Sequence, residues 1–184
     1  MLYQILSFLL DIAVAFVGGA CLLRLYMQAQ RVPFGNPVGR LVFAITDWIV
    51  LPLRRVVPAW GRWDLASLLA AYLLVLVKLL ILWGVLGAVT PAGYLPVIAL
   101  FALAQLTISM FTALLIVYAV MSWVQPHSPL MPVAERLCAP IVAPLRRYLP
   151  AVGGFDFSPL VALVLLQVAG MVLGGLQGEV LRLI

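Results

Sequence analysis

Asp11 and Lys78 each stand inside a long apolar run, and a charge there costs on the order of 3 kcal/mol unless it meets a partner or water. Counted from the basic ends of those runs at Arg24 and Leu65, each lies thirteen residues in, about 20 Å along a helix. Opposite charges at equal depth on consecutive antiparallel helices predict an intramembrane ion pair, Asp11–Lys78. Such a pair can hold two helices together or relay a proton or ion. Lys78 snorkelling to the surface by itself is a third reading. A second set of charges comes in twos. Arg54-Arg55 and Arg146-Arg147 can fork onto phosphate or carboxylate, and beside an anionic leaflet each Arg adds about 1 kcal/mol of attraction.

Asp64 and Asp156 follow Arg54 and Arg146 by ten residues. The spacing predicts Asp–Arg pairing across a turn, which makes a rigid bracket of the helix before the turn and the helix after it. Asp64 is also placed to cap the following helix. In the later copy Ser158-Pro159 supplies that cap and leaves Asp156 free. These four arginines and two aspartates are the candidate docking residues for lipid headgroups or a partner's carboxylates, with structure first and function second.

Little else offers chemistry. His127 is the sole histidine and has no acidic or thiol neighbour to complete a metal site. Cys21 and Cys138 form no C-x-x-C and read as free thiols. With no nucleophile–base pair, metal cluster or phosphate loop in the sequence, the expectation is a non-enzyme without catalytic, metal or cofactor-binding residues.

The elements that position these charges follow from a duplication. Residues 52–64 (PLRRVVPAWGRWD) and 144–156 (PLRRYLPAVGGFD) agree at eight of thirteen positions at an offset of 92. Tyr26 matches Tyr118, and Pro37 matches Pro129, in the same register. The chain therefore divides into repeats 1–92 and 93–184. It is 66% hydrophobic and 9% charged with a mean hydropathy of +1.20, against about 25% charged residues in a soluble domain. Apolar stretches at 2–24, 65–89, 97–123 and 159–181 reach the roughly 20 residues a span requires. The fold class is an all-α membrane protein of four transmembrane helices. Asp11 and the lack of a basic start argue against a cleaved signal peptide in the first stretch. Two spans per repeat return the chain to one side, so the repeats share an orientation and are expected to be related by a pseudo-two-fold axis along the membrane normal.

Between the spans of each repeat the pattern predicts a short amphipathic helix in the interface plane, with a re-entrant dip as the alternative. Asn36-Pro37 and Ser128-Pro129 offer N-cap and first-turn residues, and Pro52 and Pro144 are expected to end these helices. Val38, Leu41, Val42, Ile45 and Trp48 fall on one face, with Arg40, Ala44, Asp47 and Arg54 opposite. Gly61 and Gly153 provide the turn into the next span. Gly170, Gly174 and Gly178 form a small-residue stripe suited to close helix approach within the bundle or between copies. Nine arginines flank the two longer connections, while the far side carries only Arg182. That bias places both Arg-rich loops in the cytoplasm and both termini outside it.

These motifs resemble the YggT (also YlmG) family of bacterial and plastid membrane proteins. The first copy carries Arg24, Gln28, Pro33-Phe34, Asn36-Pro37, Pro52-Leu53-Arg54-Arg55, Pro58 and Asp64. The second carries Ser122-Trp123, Ser128-Pro129, Pro144-Leu145-Arg146-Arg147, Pro150 and the run Gly153–Pro159, but has Ile116 and Val120 in place of Arg24 and Gln28. The resemblance implies a multi-pass protein of the bacterial inner membrane, associated with osmotic or ionic stress tolerance and with cell division or envelope organisation. It carries over no catalytic residues.

Two functions compete. One is an organiser or assembly factor whose arginine loops dock a membrane-protein partner on an anionic bilayer, with homo-oligomers possible and no direct nucleic-acid binding. The other is an ion or osmolyte transport component, such as one for potassium, that works as an oligomer around Asp11–Lys78.

Overall fold

The computed structural model describes residues 1–58, 60–87, 91–125, 128–147 and 156–183. Six α-helices follow in order: α1 Leu2–Ala29, α2 Pro37–Arg54, α3 Leu65–Val85, α4 Leu95–Val124, α5 Met131–Arg146 and α6 Ser158–Leu183. Four of them, α1, α3, α4 and α6, are long and apolar enough to cross a membrane. The protein is an all-α, multi-pass membrane protein. Helix α1 runs five residues beyond the expected end at Arg24, so that arginine sits inside a helix rather than at its edge.

The end of α1 is fixed by its own backbone. Val32 N–H bonds Met27 C=O at 2.9 Å and Arg31 N–H bonds Gln28 C=O at 3.1 Å, with Arg31 left-handed at φ 54°. This is a Schellman cap, and Met27 and Val32 are buried in one cluster as its hydrophobic contact. Helix α2 begins where the sequence expects. Asn36 Oδ1 accepts Gly39 N–H at 2.9 Å, and Arg40 N–H donates to Asn36 C=O at 3.1 Å.

In the second repeat the expected start at Ser128-Pro129 is not used, and α5 begins at Met131. Pro132 occupies the place of Arg40 and has no N–H to make the equivalent first bond. Ser128 Oγ instead accepts Leu130 N–H at 3.3 Å in a local turn. Pro52 and Pro144 do not end their helices, each of which continues two residues further.

Within each repeat the short helix packs on both spans, and the spans pack on each other. Across the repeats the pattern is one-sided. Val14, Val75 and Ala99 form a buried cluster where α1, α3 and α4 meet, and Gly18 meets Leu106 so closely that an added Cβ would stand 2.9 Å from its Cδ2. No packing of comparable extent joins α1 to α6. A closed two-fold would use both contacts equally, so the repeats meet head to tail instead of as the expected pseudo-two-fold pair.

Candidate functional site: two arginine–aspartate brackets

Asp64 precedes α3 and has no exposed surface. It makes no side-chain cap to the α3 backbone. Its carboxylate accepts Arg54 Nη2 at 2.5 Å, Arg54 Nε at 3.3 Å and Ser67 Oγ at 2.7 Å. The expected capping role gives way because a buried carboxylate gains more from a bidentate guanidinium than from neutral backbone amides. A II′-type turn brings Arg54 back to it. Trp60 and Trp63 exchange backbone hydrogen bonds at 3.0 Å, with Gly61 at φ 61°.

Arg24 enters the same cluster from α1. Its Nη1 donates to Thr46 Oγ1 at 2.8 Å and to Asp47 Oδ1 at 2.7 Å, while its Nε lies 3.6 Å from Asp64. The guanidinium rests 4.6 Å from the centroid of the Phe43 ring, a cation–π geometry. Gln28 Oε1, one turn on, accepts Arg54 Nη2 at 3.3 Å. Two arginines and two aspartates thus cancel in charge at the junction of α1, α2 and α3. Burial raises the Asp64 carboxyl, but hydrogen bonds from Arg54 and Ser67 and the charges of Arg54 and Arg24 outweigh it and leave it below the ordinary value.

The second bracket is simpler and wetter. Arg146 Nε donates to Asp156 Oδ2 at 2.7 Å, its Nη2 bonds the Tyr118 hydroxyl, and Glu135 lies 3.7 Å away. The Arg146–Asp156 pairing that the spacing predicts is formed, but the cap assigned to Ser158 comes from Asp156, whose Oδ1 accepts Ser158 N–H at 2.9 Å while the Ser158 hydroxyl is buried without a partner among the described residues. Asp156 reaches that amide from two residues upstream, a position Ser158 cannot occupy. Burial raises its carboxyl, but the Ser158 and Arg146 hydrogen bonds and the Arg146 charge outweigh burial and leave it below the ordinary value. Gly153 and His127 lie outside the described residues.

The repeated tyrosines have separate partners. Tyr118 serves its own repeat through Arg146, whereas Tyr26 donates to Leu137 C=O at 2.9 Å in the other repeat and meets Phe111 edge-on.

Of the four candidate arginines, Arg54 and Arg146 pair with aspartates, Arg54 with the buried Asp64 and the exposed Arg146 with Asp156. Arg55 and Arg147 are exposed and make no ion pair among the described residues, as do Arg40, Arg62 and Arg136. Lys78 Nζ contacts Asp11 Oδ1, so the predicted pair is formed, with Asp11 half exposed beside Ser7. Thr46, Asp47 and Tyr118 were missed as members of the brackets. Periodicity puts Asp47 on the polar face of α2, and Arg24, expected at the edge of its span, gave no sign that this face turns toward α1.

Both thiols are buried, and burial pushes Cys138 up to about 12. Among the described residues no group of three or more His, Cys, Asp or Glu could hold a metal. An apolar groove of about 450 Å³ runs between α1, α2, α4 and α5, with Ser109 its one polar lining residue.

These features define a polytopic α-helical membrane protein stapled at one end by two Arg–Asp brackets. The chain belongs to the CCB3/YggT family, whose profile matches it twice, at residues 3–85 and 97–177. The two matches coincide with the two repeats. It is 40% identical over 171 residues to the uncharacterized protein YggT of Escherichia coli K12, covering 90% of this chain and 87% of that one. It is 35% identical over 179 residues to a protein encoded in the proC 3′ region of Vibrio alginolyticus, covering 96% and 95%. A Pseudomonas aeruginosa relative, PA0392, is 31% identical over 154 residues, covering 82% and 78%. No solved structure matches.

Proposed function

We propose that this chain is a non-enzymatic organiser in the bacterial inner membrane, with its termini outside and its bracketed end in the cytoplasm. The observation that carries this reading is the division of labour inside each Arg-Arg pair. Arg54 and Arg146 fix the short helices to the spans, and the adjacent Arg55 and Arg147 are exposed and make no ion pair among the described residues. A rigid frame thereby presents spaced guanidinium groups to anionic headgroups or to an acidic partner. The arginine distribution supports the orientation. The short helices then lie in the interface, with Leu41 and Trp48 turned toward lipid, both more than half exposed. The link to osmotic or ionic stress and cell division rests on the family resemblance.

The test is lipid selectivity in mixed vesicles. Native mass spectrometry of the extracted protein counts retained phosphatidylglycerol against phosphatidylcholine, in the parent and in Arg55→Gln/Arg147→Gln. A loss of about half the retained anionic lipid is expected, with membrane insertion intact. Equal retention would remove the basis for the reading.

The half-exposed Asp11 favours a second reading, an ion path along α1. Potassium flux into vesicles that Asp11→Asn abolishes would establish it. Against it stands the apolar lining of the groove, which supplies almost no groups to replace an ion's hydration.

A further inference from the structure

The head-to-tail packing of the repeats leaves one face of each repeat without its counterpart. Inside the chain, α3 receives α4 through Val75, which is 2% exposed and clusters with Ala99; Leu79 packs against the same cluster. The equivalent positions on α6, 92 residues on, are Gln167 and Met171, followed on the same face by Gly174 and Gly178. All four are exposed, and an added Cβ at Gly174 or Gly178 would meet nothing within 4 Å.

The substitutions between the two faces are informative. Hydrocarbon covers Val or Leu without cost, but an amide facing it loses its hydrogen bonds, so interhelical polar contacts and small residues drive association there. Gln167 stands where the internal interface has Val75 and makes no hydrogen bond among the described residues. The counterpart of Ala99 on α1 is Ser7, one turn from Asp11, and Gln4 lies a further turn out. Polar groups therefore appear on both unpaired faces at positions that are apolar where the faces are paired.

We propose that α6 of one copy receives α1 of a second copy, in the geometry by which α3 receives α4 within the chain, with Gln167 hydrogen-bonded to Ser7 of the neighbour. The contact is heterologous and propagates from copy to copy until it closes. Met171 then lies against Tyr3, because these are the counterparts of Leu79 and Leu95 one turn further out.

The test is disulfide formation in native membranes after Cys21→Ala and Cys138→Ala. Two populations, one with Ser7→Cys and one with Gln167→Cys, are co-expressed with different tags. Val75→Cys/Ala99→Cys in one chain serves as the control for bridgeable geometry. The proposal expects a cross-linked dimer carrying both tags and none when either variant is expressed alone. Dimers of Gln167→Cys with itself would mean a symmetric α6 contact and overturn the proposal. So would dimers of Ser7→Cys with itself, or no dimer in any combination while the control closes. Without cysteines, Gln167→Leu should weaken self-association in vesicles about fivefold by energy transfer between labelled copies, and unchanged association would also overturn it.

Discussion

Arg24 Nε stands 3.6 Å from Asp64 Oδ2, with side-chain exposures of only 2% and 0%. That separation is too long for a hydrogen bond, so Arg24 holds Asp64 by charge while its hydrogen bonds go to Thr46 and Asp47. One guanidinium thus ties α1 to α2 and to the head of α3. The arrangement is stable only as a set, because each buried charge left alone carries an uncompensated desolvation cost.

Replacing Arg24 by Met should therefore lower stability by about 3 kcal/mol, read as a shift in the midpoint of unfolding in mixed micelles. Adding Asp47→Asn should return part of the loss by removing the acid that Arg24 leaves unpaired. A loss well under 1 kcal/mol would show that the cluster behaves as an exposed pair.

Acid should act on the same cluster. Asp64 and Asp156 both have folded values below the ordinary 3.8. A carboxyl lowered on folding contributes stability above its unfolded value, and that contribution disappears as pH falls through the lowered one. Stability should be flat from neutral pH to about 5 and then fall steeply below about 4. Asp64→Asn should be less stable at neutral pH and show a shallower acid limb. An unchanged limb in that variant would remove Asp64 from the account.

Arg31 adopts φ 54° at the end of α1 and makes no ion pair among the described residues. Glycine holds that conformation without the Cβ penalty. Arg31→Gly should raise stability by about 1 kcal/mol, while Arg31→Ala, which keeps the penalty, should leave it nearly unchanged. Equal effects of the two substitutions would show that the cap carries no strain.

Gly39 presents the opposite case. A Cβ there would stand 2.4 Å from the Phe34 carbonyl oxygen, a backbone atom that cannot move without breaking the turn before α2. Gly39→Ala should cost about 2 kcal/mol and expose that turn to protease. Unaltered stability and cleavage would contradict the close approach.

Coupling between Asp11 and Lys78 is measured by a double-mutant cycle. Asp11→Asn alone should destabilise, and Lys78→Met should recover part of the loss, with an interaction of about 1 kcal/mol. Strict additivity would mean that the contact contributes nothing.

The spans, the duplication and the pairing of Arg54 with Asp64 were all legible, because apolar run length and repeated charge spacing are properties of the sequence itself. The contents of the first bracket were less so. Asp47 falls on the polar face of α2 by periodicity, and that face becomes internal only because Arg24 is carried into it by a helix five residues longer than its apolar stretch suggests. The later start of α5 was readable in Pro132, whose missing amide forbids the start that Asn36-Pro37 makes possible. The one-sided meeting of the repeats could not be read from residues that match, since identical motifs say nothing about which faces touch.

The pairs Asp11–Lys78, Arg24–Asp47, Arg24–Asp64 and Arg54–Asp64 all join residues of the first ninety-two, and the hydroxyls of Tyr26 and Tyr72 reach later backbone carbonyls, at Leu137 and Pro96. A nascent chain that has emerged only as far as the middle already holds both ends of every one of those ion pairs. Synthesis order and assembly order can then coincide: the earlier half pairs all three of its aspartates as a finished hairpin, and the later half arrives to find a surface ready for it.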